Sequence, residues 1–103
     1  MKLIEHYVQV IKDITDTFPK EVIHCYLFGS VAKKCINENS DIDLCIILND
    51  RNDKLEEEII RKSKVLSGDI DVDIIVYSNE YYELHKNERG TFINKITEGV
   101  KLW

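Results

Sequence analysis

Two aspartates, Asp41 and Asp43, stand two positions apart at the start of an apolar run over residues 44–48. Because side chains alternate along a strand with a period of two, both carboxylates point to the same side. Two carboxylates a few ångströms apart repel each other unless a cation lies between them. Mg²⁺ prefers hard oxygen ligands of this kind, so the spacing predicts a divalent metal site.

A Gly-Ser turn, Gly29-Ser30, follows an earlier apolar run and is a candidate phosphate site. Glycine lets a backbone approach a nucleotide closely, and Ser30 can hydrogen-bond a phosphate oxygen at a helix N-terminus. An ordinary turn in which Ser30 caps a helix is the structural alternative, and both can hold together. Lys33 either reaches the triphosphate or is solvated, and the sequence leaves this open. Ser40 is also a candidate nucleotide contact, although ordering the loop before the aspartates is its favoured role.

A third carboxylate is expected on a later strand. Asp73 stands directly before the apolar run 74–76, and Asp71 lies two positions earlier on the same side of that strand. We prefer Asp73 because the apolar run begins immediately after it, and Asp71 remains the rival. Asp73 would complete the metal site and could accept the proton of an acceptor hydroxyl.

The elements that position these residues follow from the hydrophobic periodicity. An amphipathic helix runs from Leu3 to Phe18 and is ended by Pro19, and Asp53 and Ser78 are candidate helix caps. The predicted order is helix (3–18), strand (22–28), short helix (31–35), central strand (41–48), helix (55–66), strand (70–77), and two further short helices that end at Gly99.

This order predicts an α/β (α+β) fold, a small mixed sheet with flanking helices in a single domain over residues 1–103. The unit from Asp41 to Tyr77 should be a right-handed parallel crossover, so its two strands begin at the same sheet edge. If the first strand pairs antiparallel with the second, the turn at Gly29 ends at that edge as well. One geometric assumption therefore brings the glycine-serine turn and the three aspartates together.

Composition narrows the classes of function. The net charge of −5 over 103 residues argues against a general nucleic-acid binder, but not against a nucleotide ligand. No apolar stretch approaches the roughly 20 residues that span a bilayer. Three cysteines without metal-type spacing fit a reducing cytoplasm, with Cys25 and Cys45 expected in the core.

The two motifs together resemble the signature of the DNA polymerase β-like nucleotidyltransferase superfamily, and within it a minimal nucleotidyltransferase. The resemblance rests on residues 29–33, Gly-Ser-Val-Ala-Lys, and on residues 40–44, Ser-Asp-Ile-Asp-Leu, followed by Asp73. The last six residues, 98–103, also look like the family's usual ending. Lys34 stands where the family usually has glycine, so the phosphate turn is expected to be shaped differently.

The resemblance implies a polymerase β-like fold in which Asp41, Asp43 and Asp73 bind two Mg²⁺ ions. It implies transfer of AMP from ATP to a hydroxyl group. In several relatives this hydroxyl belongs to a tyrosine of a helical HEPN-type toxin, and the enzyme acts as the antitoxin that neutralises it. The alternative is a binding module that neutralises a toxin by complex formation with little or no catalysis, which Lys34 favours. Small-molecule nucleotidylation is less favoured because such relatives carry an added domain. A homodimer is left open.

Overall fold

The computed structural model describes residues 2–103, which form an α+β fold with a four-stranded mixed sheet and five helices. The elements are α1 (Leu3–Thr15), β1 (Val22–Phe28), α2 (Gly29–Ala32), β2 (Ile42–Leu48), α3 (Asp53–Ser67), β3 (Val72–Ser78), α4 (Asn79–His85), α5 (Phe92–Ile96) and β4 (Val100–Lys101). The predicted fold class and the order of the predicted elements are therefore confirmed, and the short β4 is an addition to that order.

The strands lie in the order β3-β2-β1-β4. β1 pairs antiparallel with β2 and with the short β4, whereas β2 and β3 are parallel and joined through α3. Residues 44–48 of β2 are completely buried, which confirms that this uninterrupted apolar strand is central in the sheet.

Each face of the sheet has its own apolar core. Tyr7 and Ile14 of α1 and Ile59 of α3 pack on one face against Leu44 and Ile46. The opposite face carries a smaller cluster in which α4 and α5 cover the sheet; its members are Tyr26, Cys45, Ile47, Tyr82, Ile93 and Ile96.

Two cysteines lie in these cores, as the sequence predicts. Cys25 and Cys45 are completely buried, and burial raises the pKa of each thiol to about 12. Both side chains therefore act as small apolar groups rather than as nucleophiles or metal ligands.

Three predicted details of the helix ends are wrong. α1 ends at Thr15, before Phe18, because residues 16–18 turn back through hydrogen bonds to the last carbonyls of the helix. Asn52 rather than Asp53 caps α3, since its side-chain oxygen accepts from Leu55 N at 3.1 Å. Ser30 is not a cap, because α2 already begins at Gly29. The predicted cap at Ser78 is confirmed by its contact with Tyr81 N at 3.1 Å.

Over residues 2–103, no helix combines the length and the apolar character that a bilayer crossing requires. The last residues pack back on the sheet: Trp103 Nε1 donates to the carbonyl of Val22 at 3.1 Å, and its ring meets Phe18 edge to face. This end of the chain thus closes the outer edge of β1.

Candidate active site

Strand register brings the end of β1 and the starts of β2 and β3 to one edge of the sheet. Phe28, the last residue of β1, lies opposite Asp43 in the antiparallel ladder. Asp43 in turn lies opposite Asp73 in the parallel ladder. The turn at Gly29 and the carboxylates of two separate strands are therefore neighbours, although their sequence positions are far apart.

Asp43 occupies the centre of this edge. The pKa of its carboxyl is raised, first by burial, then by the negative charges of Asp73 and Asp41, and finally by a hydrogen bond shared with Asp73. Asp41 and Asp43 are half-buried and Asp73 is exposed. The three carboxylates thus interact, and their mutual repulsion is the electrostatic condition that a cation relieves.

Gly29 contacts this carboxylate directly. A Cβ atom built on Gly29 would overlap Oδ2 of Asp43, and the φ angle of Gly29 is +76°, a region that side chains disfavour. Any other residue at this position would displace the Asp43 carboxylate and strain the backbone. The glycine of the motif is thus required by the position of the central aspartate.

The turn after Gly29 ends in a well-formed helix C-terminus. Cys35 N donates to Ser30 O at 2.9 Å, and Lys34 N donates to Val31 O at 3.1 Å, the hydrogen-bond pattern of a Schellman motif. Lys34 occupies its left-handed position with φ 60°. The expectation that Lys34 reshapes this turn is therefore not met, because the lysine adopts the conformation for which glycine is normally selected.

The loop before Asp41 is ordered by hydrogen bonds that involve Ser40. Ser40 is 8% exposed, and its Oγ accepts from Asn37 N at 2.9 Å. The hydroxyl of Tyr7, in α1, donates to Ser40 O at 2.6 Å. This arrangement supports the loop-ordering role of Ser40, and Tyr7 is a neighbour of the site that sequence periodicity identifies only as a core residue.

An apolar cleft of about 500 Å³ opens beside Gly29. Phe28 and Lys33 line it from the turn, and Phe92 and Lys95 line it from α5. Phe28 and Phe92 meet edge to face with ring centroids 5.6 Å apart. Phe92 and Lys95 carry no local signal of this role in the sequence, because only the folding of α5 over the sheet brings them to the turn.

A second, more polar cavity lies on the β3 side of the carboxylates. It has a volume of about 320 Å³ and is lined by Asp41, Asp73 and Asp71 together with Lys64 of α3. Asp71 thus lies close to the site, but Asp73 is the residue in register with Asp43 and the one that raises the pKa of the Asp43 carboxyl. The geometry favours Asp73 over its rival.

The donor set fits a magnesium ion in its chemistry, since it offers carboxylate oxygens held on rigid strands. Within residues 2–103, however, no three His, Cys, Asp or Glu side chains are arranged as a preformed metal site. Asp43 and Asp73 instead lie opposite each other in the parallel ladder, and the pKa of the Asp43 carboxyl is raised by burial and by its carboxylate neighbours. A metal ion at this edge would offset the repulsion between these carboxylates.

Comparisons with known proteins agree with this geometry. The family described as "Polymerase beta, Nucleotidyltransferase" matches residues 9–89. Protein adenylyltransferase MntA of Shewanella oneidensis is 27% identical over 95 residues, which cover 92% of this chain and 63% of that protein. The chain thus spans less than two thirds of the length of this curated relative.

Two crystal structures share the fold. A toxin-antitoxin with AMP-PNP matches with a TM-score of 0.57 and 23% identity, over 99% of this chain and 73% of that chain. A mutant of the toxin-antitoxin MntA-HpeT, in which two aspartates two positions apart are replaced by glutamate, matches with a TM-score of 0.53 and 20% identity over the same shares.

Proposed function

Because the chain belongs to the polymerase β nucleotidyltransferase family, we propose that it transfers a nucleoside monophosphate, AMP from ATP, to a hydroxyl group. A new bond forms between the acceptor oxygen and the α-phosphorus, the bond to the β-phosphate oxygen breaks, and pyrophosphate leaves. The observation that carries the proposal is the position of Asp43, in contact with Gly29 on one side and with Asp73 on the other.

The carboxylates have distinct roles in this proposal. Asp41, Asp43 and Asp73 would hold two Mg²⁺ ions, which supply positive charge for the leaving pyrophosphate and lower the pKa of the attacking hydroxyl. Asp43, which lies between Gly29 and Asp73, would fix the position of the site relative to the turn. Asp73 is exposed beside it and is placed to accept the proton of the acceptor hydroxyl.

Phosphates and nucleoside are assigned to the turn and its cleft. Gly29 and Ser30 offer backbone N–H groups and a hydroxyl to the phosphates, and Lys33 adds a positive charge one turn later. The apolar cleft lined by Phe28 and Phe92 is large enough for a nucleoside, and most of its lining is apolar, as in small-molecule sites in general. Ser40 orders the loop before Asp41 through the hydrogen bond that its hydroxyl accepts from Asn37 N.

The acceptor is assigned to the β3 side, where the second cavity borders Asp73. In-line displacement places the attacking oxygen opposite the leaving pyrophosphate, so an entry away from the Gly29 turn is required. The similarity to protein adenylyltransferase MntA and to toxin-antitoxin structures supports a protein acceptor. We assign the acceptor as a tyrosine hydroxyl of a HEPN-type toxin, with this chain as its cytoplasmic antitoxin.

A binding module without catalysis is the second candidate, and Lys34 was the feature that favoured it. The left-handed conformation of Lys34 removes much of that support, because the turn is closed as a glycine would close it. The two candidates still make opposite predictions about covalent transfer.

ATP labelled at the α-phosphate separates them. The chain is incubated with Mg²⁺, this ATP and the protein encoded by the neighbouring gene, and a parallel reaction uses ATP labelled at the γ-phosphate. We expect the α-label alone to become covalently attached to the partner, and Asp43→Asn to abolish the attachment. A tight complex without label would support the binding module, and transfer of the γ-label would indicate a kinase instead.

A further inference from the structure

We propose that Tyr7 is a positioning residue of the site, whose hydroxyl holds the Asn37–Ser40 loop and so fixes the Asp41 carboxylate for metal and nucleotide binding. This inference rests on the proposed function and deepens it. Tyr7 lies on α1, far from the motifs in sequence, and neither motif includes it.

The hydroxyl of Tyr7 contacts both ends of the Asn37–Ser40 loop. Tyr7 is 1% exposed, and its oxygen lies 2.6 Å from Ser40 O and 3.3 Å from Asn37 O, at the two ends of the loop. Inside the loop, Ser40 N donates to Asn37 O at 3.1 Å and Asn39 N donates to Asn37 Oδ1 at 2.8 Å. One buried phenol therefore joins both ends of a turn that would otherwise be held only by its own short-range bonds.

Asp41 depends on this loop more than Asp43 does. β2 begins at Ile42, whose N–H donates to Asp71 O at 2.9 Å, so Asp41 lies just outside the regular ladder. On its other side the chain is fixed by the carbonyl of Ser40, which Tyr7 holds. Without the hydroxyl, the peptide before Asp41 loses its hydrogen bond to α1, and the carboxylate can move away from Asp43.

The hydroxyl remains a donor under all ordinary conditions. Burial, and secondly the negative charge of Asp41, raises the pKa of the Tyr7 phenol. The contact of 2.6 Å to Ser40 O also requires a donor, so a phenolate could not make it. The phenol therefore stays protonated near neutral pH, and its contact with Ser40 O does not switch with pH there.

Tyr7→Phe tests the inference because it removes the hydroxyl and retains the ring in the core. Binding of Mn²⁺ in the presence of a non-hydrolysable ATP analogue is measured from the electron paramagnetic resonance of free Mn²⁺. We expect the Mn²⁺ affinity to fall about tenfold, as when the supporting partner of a metal ligand is lost. Amide hydrogen exchange at residues 39–41 should accelerate, and kcat should be lower at limiting Mn²⁺ and recover at high Mn²⁺.

Tyr26→Phe is the matched control. It removes another buried tyrosine hydroxyl, which lies 2.7 Å from that of Tyr82 in the second core and does not contact the loop. If this control loses a comparable amount of melting temperature but keeps its Mn²⁺ affinity, general destabilisation does not explain the effect of Tyr7→Phe.

A double-mutant cycle tests whether Tyr7 acts through Asp41. In an Asp41→Asn background, Tyr7→Phe should cause no further loss of Mn²⁺ affinity. An equal loss in both backgrounds, or wild-type affinity and exchange in Tyr7→Phe, would overturn the positioning role while leaving the proposed function intact. If the wild-type chain binds no Mn²⁺ at all, the proposed function and this inference fail together.

Discussion

At the scale of single residues, the site combines charge repulsion with backbone strain. Asp43 is held between other carboxylates, and Lys34, a residue with a side chain, has a positive φ angle beside the proposed phosphate turn. Features of this kind oppose folding and persist where function requires them. Removing the charge repulsion or the backbone strain should therefore stabilise the protein, and the effect on activity should differ between the two.

Asp43→Asn should stabilise the metal-free protein and abolish nucleotidyl transfer. The raised pKa of the Asp43 carboxyl means that the folded state binds its proton more tightly than the unfolded chain does. The stability that this tighter proton binding gives is fully present at pH values below the ordinary pKa of a carboxyl. It is lost as the pH rises through the raised pKa of Asp43. The variant should therefore melt about 2–5 °C above wild type at neutral pH, and the difference should vanish near pH 3.

Asp71→Asn is the charge-matched control for this experiment. It removes an exposed carboxylate from the segment leading into β3 that is not in register with Asp43. We expect a smaller change in melting temperature and largely retained transfer, whereas Asp73→Asn should lose transfer. Loss in Asp71→Asn with activity retained in Asp73→Asn would reverse the assignment of the third carboxylate.

Lys34→Gly should stabilise the protein by about 0.5–1 kcal/mol. A left-handed conformation costs a residue with a side chain about 1–2 kcal/mol, and the greater conformational entropy of glycine in the unfolded chain cancels part of the gain. Urea unfolding measures the difference. Lys34→Ala is the control, since it removes the charge but keeps the strain, and it should not stabilise. Equal stabilisation by both would attribute the effect to charge rather than to the backbone.

At the scale of elements, the proposed function depends on two short helices that pack on the sheet near each other. α2 contains the proposed phosphate turn, and α5 crosses the second face of the sheet so that Phe92 and Lys95 line the same cleft as Gly29 and Lys33. Neither helix would be stable alone at this length, so packing on the sheet determines their position.

Phe92→Ala and Lys95→Ala should weaken ATP binding while leaving the chemistry largely intact. Both side chains are exposed at the cleft, so their removal should cost little stability. We expect KM for ATP to rise about 3–10-fold with kcat within about twofold, as for contacts made equally in ground and transition states. Glu80→Ala, on an exposed position of α4, serves as a control. Unchanged KM in both cleft variants would place the nucleoside elsewhere.

At the scale of the whole molecule, the sheet order explains why a small fold can build this site. The parallel crossover places the starts of β2 and β3 side by side, and the antiparallel pairing of β1 returns the glycine turn to the same edge. The parallel crossover was predictable from strand periodicity and connection rules, whereas the antiparallel pairing of β1 with β2 was an assumption that the structure confirms.

Other features depend on tertiary packing and could not be predicted from local sequence. The stripe of α1 identifies Tyr7 as buried but does not indicate which carbonyls its hydroxyl meets. Phe92 and Lys95 reach the cleft only through the crossing of α5, and the φ angle of Lys34 contradicts the local preference of lysine. The sequence favours Asp73 over Asp71 only through the apolar run that follows it, whereas the strand register pairs Asp73 directly with Asp43.

Metal binding should be visible in the stability of the whole chain. Because carboxylates crowd one edge, Mg²⁺ or Mn²⁺ together with ATP should raise the melting temperature, by an amount that grows with the logarithm of ligand concentration. The rise should be absent in Asp43→Asn, while the exposed-site variant Asp71→Asn should retain it. The absence of a rise in the wild-type protein at millimolar metal and ATP would indicate that the site does not operate.

The central claim is that three aspartates and the glycine-serine turn form one nucleotide and metal site. Crystals soaked with Mn²⁺ and a non-hydrolysable ATP analogue test it most directly, through the anomalous scattering of manganese. We expect manganese bound by Asp43 together with Asp41 and Asp73, with the triphosphate on Gly29-Ser30. Manganese bound by Asp71 without Asp43, and no triphosphate on the turn, would contradict the claim.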